Sequence, residues 1–187
     1  SDVCSSDLSR PSKPISLAAL ATHHILDEEL LDCPPSTSFK LPAGLQYLIG
    51  HNVDFDWAVA GSPDVRRICT LSLARAVWPT LEAHNQSALL YYLDRKNARE
   101  RLKNAHSAGA DIKICATILE HICLKLEIDS LEALWQKSEE SRIPTHMPFG
   151  KHKGMPIAEV PKDYVRWLLN QPDIDPFLRR ALQAAPR

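Results

Sequence analysis

Residues 45–60 read LQYLIGHNVDFDWAVA. The apolar run 45–50 is short and ends at Gly50, which is typical of a buried strand. Residues 53–60 are expected to form a helix that begins directly after this strand. A second strand and helix of the same order are predicted within 67–77. Because strands that alternate with helices pack in layers, the fold class is predicted to be α/β.

Further helices are expected where apolar residues recur at helical spacing or follow a capping residue. Asp129 and Glu132 form a capping-box pattern for one of them. A polar, proline-bounded linker is predicted at 138–147, between a domain at 9–137 and a small α-rich unit at 148–187. The expected helices cover residues 16–24, 27–31, 86–93, 112–126, 131–137, 162–170 and 175–184.

Composition excludes several classes of protein. With 22 Lys and Arg against 23 Asp and Glu, the net charge is -1, which excludes a histone-like polycation. The 44% hydrophobic and 24% charged residues are globular values, and no apolar run approaches the roughly 20 residues of a membrane span. The five cysteines include no C-x-x-C pair, which argues against structural zinc. We therefore expect a reducing, cytoplasmic compartment.

The segment after the first predicted strand contains the first candidate site residues, His51, Asn52, Phe55 and Asp56. The end of a strand that opens into a helix is where α/β proteins place ligand groups. Asp56 would lie on the first helical turn, and Phe55 would be available for packing or for stacking on a base. A purely structural interpretation is also open, because carboxylates favour the positive end of a helix.

A second candidate segment, His106 to Asp111, reads HSAGAD at the head of a long predicted helix. A histidine close to a carboxylate can act as a general base beside a metal ligand. The alternative is a solvated histidine and an ordinary acidic residue at a helix start. The spacing alone does not decide between them.

Two basic segments are candidates for binding nucleic acid. The first is expected to be a loop that contains Arg95, Lys96 and Arg99, and its charges would contact phosphates or simply be solvated. The second places Lys151 and Lys153 near Tyr164 and Trp167 in the sequence, a combination that suits single strands. Alternatively, these two aromatic residues and Leu168 form the core of the small terminal unit.

Taken in order, H-N-x-x-F-D, a basic segment and H-x-A-x-x-D on a long helix resemble the second and third motifs of the DnaQ-like 3'-5' exonucleases of the DEDDh type. The stretch ISLAALATHHIL, with His23, resembles the segment that precedes the second motif. RPSKPIS, ICTLSLARAVWP and the terminal PFGKHKGMPIAEVPKDYVRWLLN resemble the exodeoxyribonuclease X group of this family. The resemblance extends from Ser9 to the C-terminus.

The resemblance implies an RNase H-like α/β fold and hydrolysis of DNA, single-stranded and from its 3' end, by two Mg²⁺ ions, with Mn²⁺ as a substitute. Asp56 and Asp111 would bind metal, and His106 would activate water. The residues that would contact nucleic acid are His23, His51, Asn52, Phe55, Arg95, Lys96, Arg99, Lys151 and Lys153.

One part of the family pattern is missing. The first motif, Asp-x-Glu on a first strand, supplies two more carboxylates in the family and should precede His23. The Asp27-Glu28-Glu29 triplet follows His23 and is interpreted as a surface cluster. Residues 1–8, SDVCSSDL, resemble a translated sequencing adapter, so we expect a non-native tail, a domain without its first strand and little activity. We predict that the upstream sequence encodes the missing motif.

Two other classes of function stay open at this point. One is a non-catalytic module that binds nucleic acid, and the other is a module that binds a repair partner through the terminal unit.

Overall fold

The computed structural model describes residues 8–104 and 108–186, and within them it contains a small parallel sheet surrounded by helices. Strands β1 (Tyr47–Gly50) and β2 (Arg66–Cys69) pair in parallel, with Tyr47 opposite Arg66 and Gly50 opposite Cys69. Helix α2 (Val53–Val59) connects them, so both predicted strands and the first predicted helix are confirmed. The α/β class is therefore confirmed, whereas the RNase H-like topology remains a prediction.

The other helices agree closely with the expected ranges, because local capping residues define their ends. Ser16 and Asp175 accept hydrogen bonds from backbone N–H groups of the first turns that follow them. Residues Asp27–Leu30 form a 3₁₀ turn rather than an α-helix, in which the acidic triplet is exposed and Leu30 is buried. The remaining helices are α1 (Leu17–His23), α3 (Thr70–Val77), α4 (Gln86–Leu93), α5 (Arg95–Arg101), α6 (Ala108–Leu126), α7 (Leu131–Ser141), α8 (Lys162–Leu169) and α9 (Pro176–Ala184).

Two local predictions were wrong. The basic segment that begins at Arg95 is helix α5 and not a loop, because Arg, Lys, Ala and Glu are good helix formers and Ala98 is fully buried. The cap of α7 is Ser130 rather than Asp129, since the Ser130 hydroxyl accepts a hydrogen bond from the Ala133 N–H at 3.3 Å.

Helix α7 extends through the first residues of the expected linker. Ser138 is fully buried, and its Oγ accepts a hydrogen bond from the Cys69 N–H at 2.8 Å. This serine therefore satisfies a backbone donor at the end of β2. A polar residue assigned to a linker thus belongs to the core.

The described residues form two hydrophobic cores. The larger one packs β2 against helices α3, α4, α6 and α7 through Ile68, Leu73, Leu89, Leu90, Ile118, Ile122 and Leu134. The smaller one lies in the C-terminal unit and contains Met147, Ile157, Val165, Leu168, Leu178 and Leu182. Two separate cores agree with a division of the chain into a domain at 9–137 and a unit at 148–187, and the exact limits stay a prediction. Across the described ranges, no helix is both long and apolar enough to cross a membrane.

Arg142, directly after α7, connects the two units. Its side chain is only 6% exposed and forms ion pairs with Asp54 of α2 and with Glu139, the latter at 3.3 Å. The guanidinium carbon also lies 4.1 Å from the centre of the Phe177 ring in α9. One cation thus holds two acidic side chains and an aromatic ring from three helices.

Candidate active site

A cleft of about 670 Å³ opens at the carboxyl end of β1, between this strand, α4 and α6. Asp56 and Asp111, which the sequence predicts as metal ligands, both line it. They come from the first turn of α2 and the first turn of α6, 55 positions apart in the chain. The other lining residues are Ile49, Gly50, His51, Gln86, Ile112, Cys115, Ala116 and Leu119.

The end of β1 brings the Asp56 carboxylate close to the strand. A Cβ on Gly50 would lie 3.1 Å from Asp56 Oδ2 and 3.3 Å from Val53 Cα, so a side chain there would crowd both. Asn52 has φ 72° and ψ 47°, a left-handed conformation that asparagine tolerates better than most residues. This turn lets α2 begin within three residues of the strand.

His51 is held inside the protein by both ring nitrogens. Nε2 donates to the His84 carbonyl oxygen at 2.8 Å, and Nδ1 lies 3.0 Å from Thr70 Oγ1. Burial lowers the pKa of His51 and favours its neutral form, in which Nδ1 accepts from the Thr70 hydroxyl. The geometry therefore favours a role for His51 in fixing the strand end, and its predicted contact with DNA stays a prediction.

Two polar residues near this cleft were missed by sequence reasoning. Thr70 is fully buried, and its Oγ1 lies 3.3 Å from the Gly50 carbonyl oxygen as well as near His51. Gln86 lines the cleft, and its buried Oε1 has no hydrogen-bond partner among the residues that the structure describes. Thr70 belongs to the segment ICTLSLARAVWP and Gln86 to none of the quoted segments, but no pattern assigns a role to either residue, and only packing reveals it.

The apolar helical pattern around Cys115 and Cys123 predicts that both are small core residues, but Cys115 lies in the cleft wall. Its Sγ lies 3.6 Å from Thr70 Oγ1, and burial raises the pKa of the Cys115 thiol, which favours the protonated form. Cys123, predicted in the same way, is partly buried and packs against the larger core, in agreement with the prediction. A protonated thiol is a poor ligand for a metal ion and a poor nucleophile.

Burial raises the pKa of Asp56. The folded protein therefore binds this proton more tightly than the unfolded chain does, and ionisation of Asp56 at neutral pH opposes folding. We expect Asp56→Asn to be at least as stable as wild type at pH 7. The difference in free energy of unfolding between Asp56→Asn and wild type should shrink as the pH falls through the raised pKa towards 3.8, the ordinary value. Urea unfolding midpoints from pH 3 to 8 measure it, and a variant less stable at every pH contradicts the prediction.

The other predicted site residues lie at different places. Phe55 is 68% exposed and Asn52 is also exposed, whereas His23 Nδ1 accepts a hydrogen bond from the Ile25 N–H at 3.0 Å. His106, the predicted base, lies outside the described residues. The predicted cations are all exposed: Arg95, Lys96 and Arg99 on α5, and Lys151 and Lys153 in the turn between Gly150 and Gly154.

The donor set at the cleft is only part of what two metal ions need. Carboxylate oxygens suit Mg²⁺, and Asp56 and Asp111 offer them from two helices. Within residues 8–104 and 108–186, however, no three His, Cys, Asp or Glu side chains are grouped to hold a metal ion. The described residues therefore do not form a complete two-metal site.

Comparison with known proteins identifies relatives of almost the whole chain. Exodeoxyribonuclease 10 of Escherichia coli strain K12 is 30% identical over 185 residues, which cover 95% of this chain and 82% of the relative. The same enzyme from Escherichia coli O6:H1 matches to the same extent. A family model described as "Putative quorum-sensing-regulated virulence factor" matches residues 139–173, from the last residues of α7 to just after α8.

A solved structure agrees with these matches. It is exonuclease X in complex with 5' overhanging duplex DNA, with a TM-score of 0.59 and 28% identity over 70% of this chain and 78% of that one. Sequence and fold thus lead to the same group that the motifs resemble, and the chain belongs to the exodeoxyribonuclease 10, or exonuclease X, family.

Proposed function

We propose that this protein is a DNA exonuclease that removes nucleotides from the 3' end of single-stranded DNA. The observation that carries the proposal is the cleft at the end of β1. Asp56 and Asp111, the carboxylates of the two matching motifs, line it together in a chain that belongs to the exonuclease X family. The RNase H-like topology is part of the same proposal.

The chemistry would be divided among three residues. Asp56 and Asp111 would hold Mg²⁺ or Mn²⁺, and such ions supply charge stabilisation for the phosphoryl oxygens when they are bound. His106 would accept a proton from the attacking water, as a neutral imidazole can near pH 7. The neighbouring His51 is hydrogen-bonded within the protein through both ring nitrogens, and it would hold the strand end in place.

The alternative is a module that binds nucleic acid without cutting it. The incomplete donor set of the described residues favours this alternative for the 187-residue chain by itself. We therefore propose that the chain as it stands binds DNA but cleaves it very slowly, and that full activity needs two more carboxylates.

The polarity of cleavage tests the proposed function. With a version that also carries a first strand ending in Asp-x-Glu, we expect a 5'-labelled single strand to shorten one nucleotide at a time in Mg²⁺. A 3' label should leave as a mononucleotide from the start, because each step removes the terminal residue. Internal cleavage, or release from the 5' end, contradicts the proposal.

The exposed face of α5 should bind the DNA backbone. Arg95, Lys96 and Arg99 of α5 are all exposed, whereas Ala98 of the same helix is fully buried. Each phosphate contact to a single strand contributes about 0.7 to the slope of log K against log salt. Replacing all three with alanine should weaken binding at low salt and reduce this slope by about 2.

Fluorescence anisotropy with a labelled oligonucleotide measures this effect in EDTA, where no cleavage interferes. Lys125→Ala is the matched control, since Lys125 is an exposed cation at the far end of α6. An unchanged salt slope in the triple variant shows that α5 does not contact the strand.

A further inference from the structure

The segment 148–170, PFGKHKGMPIAEVPKDYVRWLLN, contains some residues that the packing of the C-terminal unit requires and others that it does not require. Gly150 has φ 76°, and a Cβ there would lie 2.7 Å from the Tyr164 hydroxyl oxygen, so this position requires glycine. Leu168 is buried in the small core. Trp167, however, is 54% exposed and Phe149 is 46% exposed, and neither belongs to that core.

Trp167 stands at the end of a row of three rings. The centroids of Tyr164 and Trp167 are 5.3 Å apart, with an angle of 38° between the ring planes. On its other side, Tyr164 meets the His152 ring at 4.6 Å, edge to face. Tyr164 packs against the small core and lies beside the indole, while about half of Trp167 faces solvent.

Two cations accompany this row. Lys151 and Lys153 flank His152 in the turn that follows Phe149, and both are exposed. Asp163 is an exposed acid one helical turn before Trp167, whereas Lys162 and Arg166 are exposed cations on the same helix, so that these residues and the two lysines of the turn carry a net charge of +3. Large aromatic side chains are normally buried, and an exposed ring beside lysines indicates a binding surface.

We propose that this surface, made of His152, Tyr164, Trp167, Lys151 and Lys153, is a second site for single-stranded DNA. Trp167 stacks on one base, and the two lysines contact phosphates on either side of it. Every base presents a π face, so such a site tolerates any sequence. The choice of DNA as ligand rests on the proposed function, whereas the aromatic and basic character of the surface does not.

A second site would change how the enzyme meets its substrate. The C-terminal unit has its own core, so this site is distinct from the cleft that contains Asp56. A DNA strand that dissociates from one site stays attached at the other. Its effective concentration at the vacated site is therefore high, and it rebinds there. Long oligonucleotides should therefore bind more tightly than short ones of the same composition.

The test measures binding of a 5'-labelled oligo(dT) of about 20 nucleotides to the full chain in EDTA. Loss of one stacked base costs roughly tenfold in affinity, so Trp167→Ala should raise the Kd by about that factor. Trp167→Tyr should retain most of the affinity, because it keeps an aromatic face. Lys151→Ala combined with Lys153→Ala should lower the salt slope by about 1.4.

Intrinsic fluorescence provides a second readout. Stacking of a base should quench the emission of Trp167, so that the quench on titration with oligo(dT) disappears in Trp167→Ala. Phe39→Ala and Lys125→Ala are the controls, an exposed ring in the loop before β1 and an exposed lysine on α6. Both controls should bind within about twofold of wild type, and far-UV circular dichroism checks that every variant is folded.

The two proposals fail in different ways. If Trp167→Ala binds as wild type does and the quench is unchanged, the second site does not exist, and a surface for a protein partner becomes the better explanation. If the variant with alanine at Arg95, Lys96 and Arg99 binds more weakly in the same series, the exonuclease proposal is still supported. Loss of affinity in Trp167→Ala without any 3' cleavage by the extended protein supports the second site and contradicts the exonuclease.

Discussion

The 187-residue chain is expected to release nucleotides at least about 10³-fold more slowly than a version that also carries a first strand ending in Asp-x-Glu. Asp56 and Asp111 are the two carboxylates at the cleft, and hard cations held by few carboxylates bind weakly. Without bound ions, general-base catalysis by His106 supplies only about 10²–10⁴-fold, far less than phosphodiester hydrolysis requires.

The measurement is the rate at which a 5'-labelled single strand shortens in Mg²⁺ and in Mn²⁺, with the two versions compared at equal concentration. In the extended version, Asp56→Asn and Asp111→Asn should each return the rate to that of the shorter chain. Asp129→Asn is the matched control, because Asp129 is exposed and lies away from the cleft. A ladder produced by the 187-residue chain that disappears in His106→Ala contradicts this prediction.

Arg142→Ala should lower the free energy of unfolding by about 2 kcal/mol, the second large effect that we expect. Arg142 is 6% exposed, and its loss leaves Asp54 and Glu139 without their shared cation. Fully buried pairs cost about 3–5 kcal/mol to break, and the figure is reduced here because the Asp54 side chain is 49% exposed. Contact with the Phe177 ring is lost as well.

Urea unfolding followed by circular dichroism measures this change as a shift of the midpoint concentration of urea. The comparison requires that the free energy of unfolding falls with urea at the same slope in both proteins. Arg142→Lys should recover only part of the stability, since an ammonium group cannot bridge two carboxylates and cover a ring in the same planar arrangement. Arg180→Ala is the control, because Arg180 is 56% exposed and lies 3.8 Å from Glu139, a pair worth less than about 1 kcal/mol. Equal losses in the two alanine variants contradict the assigned role of Arg142.

Local patterns were sufficient for most of the secondary structure. The apolar run 45–50 that ends at a glycine predicts β1, and the helix predicted over 175–184 is confirmed as α9. The segment at α5 was misassigned because an exposed helix of charged residues has no apolar stripe to distinguish it from a polar loop. Its buried residue, Ala98, is too small to create such a stripe alone.

Some residues of the candidate site could be predicted from the sequence, and others could not. Asp56 and Asp111 could be selected because each belongs to a motif that resembles a motif of the DnaQ-like exonucleases. Gln86 and Thr70 could not, because their importance comes from burial beside residues distant in the chain. Whether Trp167 belongs to the core or to the surface was open in the sequence, and packing places more than half of it in solvent.

The sequence by itself determined the strand–helix order, most helix ends, the candidate carboxylates and the family, since each depends on neighbouring residues or on a motif. Only the tertiary structure decided that Ser138 is a core residue and that Arg142 joins two units. Ser138 bonds to a residue 69 positions away, and Arg142 to one 88 positions away. Such partners become neighbours only when the chain folds, because a polar side chain is buried where a distant donor or charge can satisfy it.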